Sequence, residues 1–362
     1  INHHMDFDDE YIDDMEYYDV EPCDLRSNYE QVVTIQTYIY SFICALGLLG
    51  NVLVLITYAF YKKAKTMTDV YLVNVALADL LFIMALPLII YNEQHVWSMG
   101  TWACKLLRGI YSLNLYSSML LLACISGDRY IAIVKARHSI GMHFKTHIYS
   151  RLVCSVIWFL AIGLSMPTFI YYDLYVENST AEAECSYSFA TSGTAQLMKI
   201  LVPSLQVAVG FFTPLLVMSF CYCSIILTLL RARNYERHKA VRVVLAVVLA
   251  FILCHLPYNA VVLIHTIKLF KERGCESEQQ VLLALSVTKN LAYLHCCLNP
   301  ILYAFIGVKF RNHFCKIMAD IWCLRKRNFI SGRSSQQTSE LYLPAHKFTG
   351  GSVQENPSSF SM

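Results

Sequence analysis

Five stretches of this chain contain no charged residue at all: Glu30 to Lys62, Arg108 to Asp128, Arg151 to Asp173, Lys199 to Arg231 and Arg242 to Lys268. Two more apolar runs, from Val70 to Asn92 and from Val281 to Ile306, each carry a single formally charged side chain, Asp79 and Lys289. A helix needs roughly 20 apolar residues to cross the hydrocarbon of a bilayer, and each of the seven runs is near or above that length. Only 15% of the residues are charged, against about 25% in a water-soluble protein. We therefore expect an all-α integral membrane protein with seven transmembrane helices. A net charge of +3 in so apolar a chain excludes intrinsic disorder of the whole and gives no basis for nucleic-acid binding.

Charge placement orients the spans. Lys62, Lys63 and Lys65 follow span 1; Lys135, Arg137, Lys145 and Arg151 join spans 3 and 4; Arg231, Arg233, Arg237, Lys239 and Arg242 join spans 5 and 6. Basic loops stay cytoplasmic, so the N-terminal segment and the 4–5 loop are external. Residues 1–30 hold 11 of the 26 acidic residues and one base, Arg26, and form an acidic extracellular segment with no signal-peptide pattern. The seven spans occupy 31–306. A cytoplasmic amphipathic helix over 307–323 and a disordered Ser/Thr-rich tail over 324–362 follow. The sequon at Asn178 falls on the external side, where glycosylation is possible. Of 14 cysteines, Cys23, Cys104, Cys185 and Cys275 map outside, one per external segment. Two disulfides are expected there, and sequence alone leaves three pairings open. Cys315 and Cys323 stand beside basic residues after span 7, a setting for palmitoylation.

Ionisable groups inside a membrane are costly and default to function. Asp79 in span 2 can be surrounded by Asn114 and Ser118, four apart on span 3, and by His295 and Asn299, four apart on span 7. Such a set could hold a sodium ion; a neutral, hydrogen-bonded acid is the alternative. No other cofactor is expected. Pro87, Pro167, Pro214, Pro257 and Pro300 fall in five different spans, where each removes a backbone donor and bends its helix.

One landmark per span, in order, then carries a resemblance. These are Gly50-Asn51-Val52, Leu77-Ala78-Asp79, Cys104 with Asp128-Arg129-Tyr130, Trp158, Pro214 with Tyr222, Pro257, and Asn299-Pro300-Ile301-Leu302-Tyr303. The chain resembles the rhodopsin-like G-protein-coupled receptors. DRYIAIV from Asp128, LHCCLNPILY from Leu294 and the extra external cysteines make it similar to the chemokine receptors. Gly307 to Arg311 resembles the start of the short cytoplasmic helix of that family.

The resemblance implies disulfides Cys104–Cys185 and Cys23–Cys275. It also implies a basic CC chemokine as partner, drawn to the acidic head by long-range electrostatics, with Tyr11, Tyr17 and Tyr18 in a sulfation setting. Tyr40, Tyr111, Tyr258 and Tyr293 would line the outer pocket. Lys289 stands where most CC receptors carry a glutamate, Ile89 replaces a pocket tryptophan and His255 the switching tryptophan. Asp128 would pair with its neighbour Arg129 at rest; on activation Arg129 would turn to Tyr222, Tyr303 and a heterotrimeric G protein, with Tyr130, His255, Pro257, Asn299 and Pro300 in the switch. No acidic residue in span 6 could lock Arg129, since Arg237 to Arg242 is basic. Ser334, Ser335, Thr338 and Ser339 would be receptor-kinase sites that recruit arrestin. A scavenging receptor that internalises ligand without G-protein coupling is the competing reading, and the intact Asp128-Arg129-Tyr130 speaks against it. A transporter would need facing charges or an internal repeat, and an enzyme a nucleophile, zinc or phosphate motif; neither is present.

Overall fold

The computed structural model describes residues 29–62, 66–94, 97–135, 146–176, 183–231, 235–271, 274–306, 312, 315–317, 319–320 and 322–323. The helices are α1 (Tyr29–Ile56, extended by a wider turn over Thr57–Lys62), α2 (Met67–Gln94), α3 (Gly100–Val134) and α4 (Thr146–Tyr171). A hairpin of β1 (Tyr172–Val176) and β2 (Ala183–Tyr187) leads to α5 (Ser192–Val207), a wide turn over Ala208–Phe212, and α6 (Thr213–Arg231). The series ends with α7 (Tyr235–Ile267), α8 (Cys275–Tyr293) and α9 (His295–Ile306). Among the described residues, seven helical segments are long and apolar enough to cross a membrane, the fifth made of α5 and α6 and the seventh of α8 and α9. The protein is thus a seven-span bundle, and the outward faces of the spans are rich in exposed Leu, Ile and Phe. That pattern suits lipid contact.

The chain divides into two compact units, 1–314 and 315–362. In the second, residues 315–317, 319–320 and 322–323 are helical, with Cys315 and Cys323 exposed. Gly307 to Arg311 and the tail from 324 lie outside the described residues.

Polar side chains tie the bundle where prolines open it. Pro300 in α9 cannot donate to the carbonyl four residues back, that of Cys296. Asn51 of α1 supplies the missing donor, its Nδ2 lying 3.0 Å from that oxygen and 2.9 Å from the Gly47 oxygen. The approach is close because position 50 is glycine: a Cβ there would lie 2.7 Å from the Pro300 Cβ. Pro87 likewise frees the Ile83 carbonyl, which accepts a weak bond from the Cys44 thiol of α1 at 3.8 Å. The wide turn at Ala208–Phe212 immediately precedes Pro214, and Thr213 Oγ1 donates to the Ala208 oxygen at 2.9 Å. Trp158 of α4 donates through Nε1 to Asn74 of α2 at 3.0 Å. At the start of α2, Thr66 and Asp69 cap one another reciprocally, each side chain accepting from the other's backbone N–H at 3.2 Å, the geometry of a capping box.

The end of the bundle that carries the β1–β2 hairpin is closed by the Cys104–Cys185 disulfide, which joins α3 to β2. Trp97 is buried, donates its indole N–H to the Gly100 oxygen at 3.0 Å and bonds through its backbone N–H to Ala183 at 2.9 Å. Gly100 has φ +79°, a left-handed value that only glycine takes without strain, and α3 starts from it. Ile89 packs beside Trp97, Cys104, Leu107 and Cys185.

Candidate receptor sites

Three sites lie along the bundle axis. The outer one is aromatic. Tyr293 of α8 meets Tyr40 of α1 (ring centroids 5.5 Å), Phe82 of α2 (4.9 Å, edge-on) and Tyr111 of α3 (5.2 Å, edge-on). Tyr111 also meets Phe82 at 5.6 Å. Such tilted and edge-on pairs each add about 0.5–1.5 kcal/mol beyond the area they bury. The Tyr258 hydroxyl of α7 lies near the Tyr111 hydroxyl and the Gln206 side-chain amide. Four tyrosines assigned to one pocket from sequence therefore come from four helices into one continuous group. Phe82 and Gln206 join them without having been foreseen, since an apolar or amide side chain in a span carries no signal by itself.

Deeper in, Asp79 is fully buried. Its Oδ1 accepts from Asn114 Nδ2 at 3.0 Å and Ser118 Oγ at 3.2 Å, and its Oδ2 from Asn299 Nδ2 at 3.1 Å. Spans 2, 3 and 7 thus meet on one carboxylate, whose oxygens together with those of Ser118, Asn114 and Asn299 are the hard ligands a monovalent cation requires. His295 does not join them. It faces His255 of α7, centroids 4.9 Å apart, and stands edge-on to Phe251 at 6.3 Å. The reason lies at Leu294, where span 7 changes from α8 to α9. His255 itself is buried against Phe251 and His295 and sits two residues before Pro257.

At the end of the bundle away from the hairpin, the expected pairing of Asp128 with Arg129 is not what the structure has. The Asp128 carboxylate accepts from the Thr68 hydroxyl of α2, and among the described residues no ion pair joins it to Arg129. Adjacent residues on a helix do not face each other: Asp128 turns toward the foot of α2, whereas Arg129 is exposed. Tyr222 of α6 bonds to Ser126 of α3 at 2.9 Å, and Tyr130 packs on Phe220 with centroids 5.7 Å apart. Thr68 and Ser126 were missed in the sequence, although the Thr66-to-Asp69 capping pattern marks where α2 begins and so which residue faces Asp128. Tyr303 lies in α9, and its side chain is outside the described residues.

Cys275 is also disulfide-bonded; Cys23, assigned to it from the resemblance, lies outside the described residues. The same holds for Tyr11, Tyr17, Tyr18, Asn178, Ser334, Ser335, Thr338 and Ser339, and for the side chains of Arg237 to Arg242.

Residues 50–303 match the family described as 7 transmembrane receptor (rhodopsin family). The chain is 43% identical to mouse C-C chemokine receptor type 6 over 98% of its length and 97% of that protein's. It is 45% identical to the human type 6 receptor over 89% of this chain and 86% of that one. With bovine C-C chemokine receptor type 7 the identity is 48%, over 79% of this chain and 75% of the relative. The chain therefore belongs to the C-C chemokine receptors within the rhodopsin-like seven-transmembrane family. It is a multi-pass membrane protein, and its family is one of receptors rather than enzymes.

Proposed function

We propose that this chain is a plasma-membrane receptor for a basic CC chemokine, with its N-terminus outside, that signals through an inhibitory-type heterotrimeric G protein to drive leukocyte chemotaxis. The type 6 likeness over nearly the whole chain makes CC chemokine ligand 20 the first ligand to try. The observation that carries signalling, as against scavenging, is at the cytoplasmic face: Asp128 is held by Thr68 while Arg129 stands exposed beside it, so the arginine is available to an incoming partner helix. The acidic head would steer the chemokine in, helped by sulfation of Tyr11, Tyr17 and Tyr18. Tyr40, Tyr111, Tyr258, Lys289 and Tyr293 would receive its mobile end. Asp79 with Asn114, Ser118 and Asn299 would hold sodium. Kinases acting on Ser334, Ser335, Thr338 and Ser339 would create an anionic site for arrestin.

The test is cyclic AMP inhibition in cells expressing the chain, challenged with a panel of CC chemokines with and without pertussis toxin. Toxin-sensitive inhibition by one ligand is the expected result. Binding and uptake of that ligand with no effect on cyclic AMP would place the protein among the scavengers, and binding of none would remove the ligand assignment.

A further inference from the structure

Spans 1 and 2 do not close against each other along their whole length. Pro87 bends α2, and the side of α1 that faces it is built largely from short side chains. Thr37, Ser41, Cys44, Ala45 and Leu48 recur at spacings of three and four, which puts them on one side of the helix. With Pro87 and the turn of α2 that follows it they line a cavity of about 520 Å³, within the range of small-molecule sites. From Thr37 to Leu48 it runs about 16 Å along α1, close to half of the roughly 30 Å hydrocarbon core and so to the depth of one leaflet. Pro87 also fixes the floor, because the Ile83 carbonyl that it frees takes the Cys44 thiol.

This groove opens to the membrane. Ser41, Ala45, Leu48 and Pro87 are exposed, and with Phe42, Leu49 and Leu88 beside them they continue the lipid-facing surface of the bundle. The occupant is therefore a lipid, and the lining says of which kind. No charged side chain lines the groove, so it offers nothing to a phosphate or a fatty-acid carboxylate. The Ser41 hydroxyl donates to the Thr37 oxygen at 2.8 Å. With its proton used inside the helix, Ser41 Oγ has only lone pairs to present to the groove, and it calls for a lipid that carries an O–H. A rigid lipid loses little freedom on binding, whereas an acyl chain must be ordered bond by bond.

We propose that the groove between spans 1 and 2 binds a membrane sterol, whose hydroxyl donates to Ser41 Oγ and whose fused rings lie over Cys44, Ala45 and Pro87 toward Leu48. The site is separate from the three along the bundle axis and depends on neither the ligand nor the G protein proposed above.

The test uses the purified full chain in phosphatidylcholine nanodiscs and a photoreactive cholesterol that keeps its hydroxyl and carries a diazirine on its rings. Labelled residues are mapped by mass spectrometry. Labelling is expected on the α1 and α2 residues that line the groove and should be competed by cholesterol. The ketone analogue, which cannot donate, should compete about threefold less well, the size of one hydrogen bond between groups in a membrane. A straight-chain alcohol, which can donate but is flexible, should also compete less well than cholesterol. Ser41→Ala should erase the difference between cholesterol and its ketone. Ala45→Phe fills the groove from an exposed position and should abolish the labelling there with the unfolding temperature unchanged; Leu48→Trp, at the far end of the groove, is a second filling variant should the first not fold. Labelling only elsewhere or nowhere, equal competition by the ketone or by the straight-chain alcohol, a cholesterol preference that survives Ser41→Ala, or groove labelling that survives the filling variant each overturns the proposal.

Discussion

Replacing Asn51 by Ala removes the donor that Pro300 made necessary. The Cys296 carbonyl has lost its helical partner to the proline and bonds to Asn51 at 3.0 Å; with Asn51 gone it is left in a fully buried, apolar setting, since Asn51 is 1% and Cys296 4% exposed. The second Asn51 bond, to the Gly47 oxygen, is a local one within α1 and is dispensable. Leaving one buried acceptor unpaired costs about 1–3 kcal/mol, and membrane side-chain bonds average nearer 0.6 kcal/mol, reaching about 1.7. The loss should thus be about 1–2 kcal/mol. A double-mutant cycle isolates it. Pro300→Ala restores a backbone N–H four residues after Cys296, so in that background Asn51→Ala should cost about 1 kcal/mol less. Unfolding in detergent can be followed by the reaction of the buried free thiols, Cys254, Cys296 and Cys297, with a fluorogenic maleimide. If the two changes are additive within about 0.3–0.5 kcal/mol, Asn51 is not compensating for Pro300 and the account of the span 1 to span 7 junction is wrong.

Gly50→Ala puts a Cβ 2.7 Å from that of Pro300, so spans 1 and 7 must part; a loss of about 1–3 kcal/mol should appear as reduced surface expression, whereas Gly163→Ala, with open space around it, should express normally. Thr68→Val takes the donor from Asp128 and should raise ligand-independent signalling through the G protein, measured as lowered basal cyclic AMP; an unchanged basal level would show that the bond does not restrain the resting state. Asp79→Asn removes the charge on which the three donors converge, and ligand binding should lose its sensitivity to sodium; a full sodium effect in the variant would exclude a cation at this carboxylate.

The sequence exposed those features that depend on local pattern. Apolar length located all seven spans, and landmark residues at one per span pointed to the family, because each helix must satisfy its own backbone in lipid and so advertises its length. Asp79 was legible for the same reason, since a lone acid in hydrocarbon needs partners. Three of those partners, Asn114, Ser118 and Asn299, followed from helical spacing. The fourth did not: His295 and Asn299 are four apart, yet the change of helix at Leu294 turns His295 toward His255. Spacing also misled at the inner face, where neighbours in sequence were expected to pair across a helix that points them apart.

What the amino-acid order determined by itself is therefore the number and length of the spans and the position along the chain of the loops that join them. These follow from hydropathy and charge, which act on each segment separately. Tertiary structure alone decided which groups meet: Asn51 with the carbonyl freed by Pro300, Thr68 with Asp128, Trp158 with Asn74, and Tyr111 with Tyr293. Each of these joins residues from different helices, and their rotation and depth are set by packing between spans, where a single glycine or proline shifts what one helix presents to the next.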